Sequence, residues 1–122
     1  MIVIESINYL GLTVSNLENS IKFYRELFDF EVIENNSGQA FIKEGDIIIS
    51  LYEAEKLKNP GDTKNRVSFI VDEDDFEDAV DELKEKEIPI VSGPENIRKG
   101  QSIVFLDPDG NQIELCYPKL KI

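Results

Sequence analysis

Histidine is absent from this chain, and that absence removes more chemistry than any residue present adds. Without imidazole there is no Ser-His-Asp or Cys-His catalytic arrangement and no side chain whose ordinary pKa lies near neutrality. The commonest biological metal ligand is missing too. There is one cysteine, so no disulfide can close within the chain. Tryptophan is also absent, which leaves any aromatic recognition to 4 tyrosines and 7 phenylalanines. No apolar run approaches the roughly 18 residues that a membrane-spanning helix needs. Met1-Ile2-Val3-Ile4 lacks the charged start and the length of a signal peptide. Positive charge is scarce as well: 13 basic against 25 acidic residues give a formal charge of −12. That balance works against nucleic acid and anionic membranes, and it favours a cationic ligand or simply solubility. These exclusions describe a cytoplasmic protein of 122 residues, long enough for one compact domain or two small halves.

What is present is strongly patterned. Ser6–Val14 alternates, with Leu10, Leu12 and Val14 on one side and Tyr9, Gly11 and Thr13 on the other, as a strand with two different faces does. Ser15-Asn16-Leu17-Glu18 fits a capping box, and Leu17, Ile21, Tyr24, Leu27 and Phe28 then fall on one helical stripe. Phe30–Ile33, Ala40–Lys43 and Ile47–Tyr52 read as three strands punctuated by turn residues. A polar connection containing Pro60-Gly61 spans residues 54–65, and after it the order repeats. Arg66–Val71 alternates, with Val67, Phe69 and Val71 inward. Asp72–Asp75 supplies negative charge suited to a helix start, and Phe76, Ala79, Val80 and Leu83 form the apolar stripe of a helix ending near Glu87. Ile88–Val91, Ser102–Leu106 and Asn111–Tyr117 are three further strands. The expectation is one α+β domain over residues 1–122, built from two βαβββ modules, 1–53 and 66–122.

The last hairpin organises the second half. In Asp107-Pro108-Asp109-Gly110-Asn111, proline presets a turn, and Gly110 and Asn111 tolerate left-handed backbone. Ile113, Leu115 and Tyr117 then point one way and Gln112, Glu114 and Cys116 the other. A carboxylate between a carboxamide and a thiol calls for water or for a partner in a cavity. Pairing the two modules by their mixed faces would curl a mixed sheet around a cleft lined by Tyr9, Ser50, Tyr52, Arg66, Ser68, Gln112 and Glu114. These are the candidate ligand-binding residues. Cys116 reads as a small buried hydrophobe.

Ile7–Val14 with Leu17, Ser20, Phe23-Tyr24 and Leu27-Phe28 resembles the opening signature of the glyoxalase, bleomycin-resistance and dioxygenase superfamily, also called vicinal oxygen chelate. Asp107–Asn111 with Ile113-Glu114-Leu115 resembles its closing signature. The resemblance implies paired βαβββ modules around a cleft, in a homodimer that binds a small molecule. It also implies metal ligands at the first and last strands of each module, positions held here by Tyr9, Ser50, Arg66 and Glu114. Only Glu114 keeps the usual ligand type, so no metal ligands are assigned and no cofactor is expected. Arg66 is expected to pair directly with Glu114, so that neither charge lies uncompensated. The resulting expectation is binding or sequestration of a small molecule, cationic if net charge selects it, by a degenerate and metal-independent site. The alternative is an enzyme using a divalent metal: a glyoxalase I-like lyase, a thiol transferase or a dioxygenase.

Overall fold

The computed structural model describes residues 1–54 and 65–120. The chain divides into two compact units, Met1–Lys58 and Asn59–Ile122. The connection expected over residues 54–65 lies, apart from Ala54 and Asn65, outside the described residues.

The first unit runs β1 (Leu10–Val14), α1 (Leu17–Phe28), β2 (Glu31–Asn36), β3 (Gln39–Glu44) and β4 (Ile47–Glu53). Its four strands are ordered β1-β4-β3-β2, with β1 parallel to β4 and the other pairs antiparallel. Alternation along β4 decides the layering. Ile49 and Leu51 are buried with Ala40 and Ile42 of β3 and with Leu17, Ile21 and Tyr24 of the helix. Tyr24 anchors this core, its ring edge-on to Phe30 at 6.0 Å and stacked on Phe28 at 6.2 Å.

Several boundaries depart from the sequence reading: β2, expected over Phe30–Ile33, runs on to Asn36, and two further departures concern β1 and the cap of α1. Strand β1 begins at Leu10, not Ser6, although the alternation runs back to Ser6. A strand exists only where its ladder does, and the β1–β4 register begins with Leu10 opposite Ile49. Met1, Ile2, Val3, Ile4 and Ile7 are left fully or largely exposed. The helix cap sits one residue later than expected: Asn16, not Ser15, accepts the Asn19 N–H on Oδ1 at 3.0 Å. The first helical N–H, on Leu17, donates instead to Glu53 Oε2 at 2.8 Å, which fixes the helix start against the end of β4.

The second unit repeats the order: β5 (Arg66–Ile70), α2 (Glu73–Glu85), β6 (Ile90–Ile97), β7 (Gly100–Leu106) and β8 (Gln112–Tyr117). Its sheet is ordered β5-β8-β7-β6, with β5 parallel to β8. The acidic run behaves as expected of a helix start: Asp72 caps α2 by accepting the Asp74 N–H, and Glu73, Asp74 and Asp75 fill the first turn. Phe76, Val80 and Leu83 are buried. Phe76 meets Tyr117 of β8 edge-on at 5.4 Å, so α2 lies over the face of β8 that carries Ile113 and Leu115. Strand β6 extends well beyond the expected Ile88–Val91. It continues to Ile97 through two register shifts, a run whose polar residues and Gly93-Pro94 hid it.

The hairpin between β7 and β8 is held by Asp107, a buried carboxylate. Its Oδ1 accepts the N–H groups of Asp109 and Asn111, each at 2.9 Å, and its Oδ2 accepts Asn111 Nδ2 at 2.9 Å. Gly110 takes the left-handed backbone (φ 84°), whereas Asn111 does not and serves as a side-chain donor instead. This five-residue turn sets Leu106 opposite Gln112, Val104 opposite Glu114 and Ser102 opposite Cys116. Every polar residue of the site on β8 takes its place from that register.

Candidate functional site

The face of the second sheet turned away from α2 carries a row of polar side chains. Parallel pairing of β5 with β8 places Arg66 beside Gln112, Ser68 beside Glu114 and Ile70 beside Cys116. Glu114 is at the centre of this row, half-buried, with one hydroxyl on each carboxylate oxygen. Ser68 Oγ donates to Oε1 and Ser102 Oγ donates to Oε2, both at 2.6 Å. Such short bonds are typical of a hydroxyl on an ionised carboxylate. Burial raises the Glu114 pKa, but the hydroxyls of Ser102 and Ser68, the charge of Arg66 and the Cys116 thiol together outweigh it. The carboxyl is held below its ordinary value and stays ionised at neutral pH. Cys116 is buried, as expected, with its sulfur 3.4 Å from Ser68 Oγ.

The expected direct ion pair between Arg66 and Glu114 does not form. The register sets Gln112 opposite Arg66, and the guanidinium donates to Gln112 Oε1 through Nε at 3.2 Å and Nη2 at 3.0 Å. Arg66 influences Glu114 through its field, with hydrogen bonds supplied by the serines. Ser102 was not among the sequence candidates. The signal that finds it is the hairpin: counting back from a five-residue turn sets Ser102 across from Cys116, diagonal to Glu114.

The other three candidates belong to the first unit. Ser50 is buried and accepts Gln39 Nε2 at 2.9 Å. Tyr9 precedes β1 and sets its ring edge-on to Phe41 at 5.1 Å, with Phe41 in register with Ser50. Tyr52, two residues along β4 from Ser50, is 58% exposed. These residues share one face of the first sheet, just as Arg66, Ser68, Gln112 and Glu114 share one face of the second. Gln39 is a further polar group there that the sequence reading passed over.

Comparison with known proteins bears on what such a site does. A family model described as Glyoxalase/Bleomycin resistance protein/Dioxygenase superfamily matches residues 6–115. The chain is 31% identical over 121 residues to the metallothiol transferase FosB of Staphylococcus epidermidis, covering 97% of this chain and 85% of that protein. It is 32% identical over 116 residues to the glutathione transferase FosA of Serratia marcescens, covering 93% and 81%. Among solved structures, the fosfomycin resistance protein FosX of Mesorhizobium loti matches with a TM-score of 0.79 at 26% identity, over 97% of this chain and 96% of that one. FosX of Listeria monocytogenes, solved with Mn(II) and sulfate, matches in fold with a TM-score of 0.84 at 22% identity, over 97% and 94%.

These relatives overturn the expectation that no cofactor is called for: the FosB proteins are metallothiol transferases, and the Listeria FosX carries Mn(II). The donor set of this chain nonetheless differs from an ordinary metal centre. Among the described residues no three His, Cys, Asp or Glu side chains gather as one would require. Both oxygens of Glu114 already accept hydroxyls, and the neighbouring cation is a guanidinium. The described side chains of one chain do not by themselves fit a divalent ion. Among the described residues no helix is long and apolar enough to cross a membrane.

Proposed function

The chain belongs to the Glyoxalase/Bleomycin resistance protein/Dioxygenase superfamily, and from that premise we propose that it is a thiol transferase acting on a small electrophile of the fosfomycin type. One observation carries the reading. Relatives that align with nearly the whole chain at 31 and 32% identity are thiol transferases. The polar row on β8 and β5 is consistent with it, because Glu114 is fixed by two hydroxyls and stays ionised beside an oriented guanidinium. A preset charge pattern of that kind orients a polar substrate without reorganising when it binds. In this proposal Arg66, Ser68, Gln112 and Glu114 of the second module contact the substrate, and Tyr9, Ser50 and Tyr52 form the corresponding polar face of the first module. The modules, 1–53 and 66–122, act as one domain within a homodimer.

The test is direct. The protein is incubated with fosfomycin and either glutathione or cysteine, with and without Mn(II), and the products are read by mass spectrometry and ³¹P NMR. An adduct of fosfomycin and the thiol is expected, with turnover falling about a hundredfold in Glu114→Gln if the carboxylate acts on the reacting molecule. Absence of adduct under every combination would sink the proposal. A second reading, capture of the same molecule without turnover, is favoured by the incomplete donor set. It predicts saturable fosfomycin binding with the drug recovered unchanged.

A further inference from the structure

The net charge of the molecule points to cationic ligands, yet one rung of the second sheet is chemically the opposite. We infer that Arg66 and Gln112 form an oxyanion anchor that fixes an anionic group of the bound molecule. This deepens the reading of the same site by assigning which end of a substrate these two residues hold.

An arginine has five N–H donors and no acceptor. Nε and Nη2 of Arg66 each donate to the same oxygen, Gln112 Oε1. That contact decides the orientation of the carboxamide, because only its oxygen can face a guanidinium. The Gln112 Nε2 group must therefore turn away and present its two N–H bonds elsewhere. Among the described residues no acceptor meets Gln112 Nε2, and none meets the three remaining N–H bonds of Arg66. Arg66 is exposed and Gln112 half-buried, so these donors can be reached from solvent. The rung thus offers a fixed planar cation and an oriented amide, donors only. Such an edge is complementary to a phosphonate, phosphate or carboxylate and mismatched to a cation.

Glu114, an opposing charge on the same face, is two residues further along the sheet, about 6–7 Å away by the rise of a strand. Its repulsion of an anion is blunted because both its oxygens already accept hydroxyls. The same two rungs thus sort a ligand by polarity, an oxyanion towards Arg66 and hydroxyl or other neutral polar groups towards Ser68 and Glu114. The overall charge of −12 opposes entry of an anion only over distances that physiological salt largely screens. Gln112 is the positioning residue in this arrangement and Arg66 the group that touches the ligand.

Methylphosphonate, which has no electrophilic carbon, isolates anchoring from chemistry. It is titrated into the intact protein while the backbone amide of residue 66, a probe that every variant retains, is followed by ¹H–¹⁵N NMR at pH 6.5. Saturable movement of that resonance is expected. Arg66→Lys, which keeps the charge but loses the planar fork, should weaken binding about tenfold. Gln112→Glu, which engages the guanidinium as an ion pair, should remove measurable binding while circular dichroism stays unchanged. Wild-type protein that leaves the resonance unmoved, or unaltered binding in Arg66→Lys and Gln112→Glu, overturns the anchor. The outcome is separable from the transferase reading. Methylphosphonate binding through Arg66 without any fosfomycin–thiol adduct defeats that reading and keeps the anchor; adduct formation with KM unchanged in Arg66→Lys does the reverse.

Discussion

Ser102 does more for Glu114 than any residue adjacent to it in sequence. It is buried, its hydroxyl is 2.6 Å from Oε2, and that bond is the largest of the influences that lower the Glu114 pKa. Ser102→Ala should therefore cost about 1.5–3 kcal/mol at pH 7, the range for a hydrogen bond to a charged group. Part of this cost is pH-dependent, and its sign follows from the direction of the shift. A carboxyl whose pKa is lower in the folded than in the unfolded state adds stability above the unfolded pKa and loses it as pH falls through the folded one. The gap between wild type and Ser102→Ala, read from urea midpoints, should be full at pH 7 and narrow as pH drops below the ordinary value of 4.5. An equal gap at pH 7 and pH 3 would assign the loss to packing instead. The same residue shows how site chemistry can sit beyond a one-dimensional reading. Glu114 and Arg66 were recognisable by type, but their partners depend on which rung each occupies. A register shift of two residues separates an Arg66–Glu114 pair from the Arg66–Gln112 pair that exists.

At the scale of elements, β6 is where the sequence pattern fails and where the structure leaves no room for a side chain at Gly93. Gly93 has φ 89°, and a Cβ there would meet the backbone oxygen of Ser102 head-on and come within 3.1 Å of Ile103 Cα. Neither contact can be relieved by rotating a side chain, since both atoms belong to β7. Gly93→Ala should cost about 2–4 kcal/mol from strained backbone plus overpacking. Its melting midpoint should fall by roughly 10 °C in calorimetry. Because the displaced segment carries Ser102, the loss should appear in ligand binding as well; a variant as stable as wild type would show that β7 yields easily. The reason β6 escaped sequence reading is physical. Its bulges break the period of two, and its stability comes from β7, a non-local partner. By contrast β5 and β8 were readable because each alternates cleanly: Val67 and Phe69 are more buried than their neighbours, and Ile113 and Leu115 are buried. Helix α2 was readable for the corresponding reason, an apolar stripe after an acidic cap. Helix α1 was right in its stripe and one residue out in its cap, since Ser15 and Asn16 are both competent acceptors and the choice rests on backbone geometry.

At the scale of the whole molecule two features pull in opposite directions. Met1, Ile2, Val3, Ile4 and Ile7 expose large apolar side chains close together in sequence. Apolar surface of that kind is normally covered by another part of an assembly, and a second copy is the partner that the proposed homodimer supplies. Against this, two copies each bring a charge of −12, and like charges on an approaching pair weaken association wherever they are unscreened. Raising ionic strength from 10 mM to 100 mM shortens the Debye length from about 30 Å to about 10 Å. Repulsion between whole molecules then fades while burial of isoleucine side chains is little affected. Sedimentation velocity across that salt range should show the dimer strengthening several-fold, and Ile2→Ser with Ile4→Ser should weaken it at every salt concentration. A dimer that weakens as salt rises would instead mean that its contact is built from ion pairs. The apolar segment would then be covered by something other than a second copy.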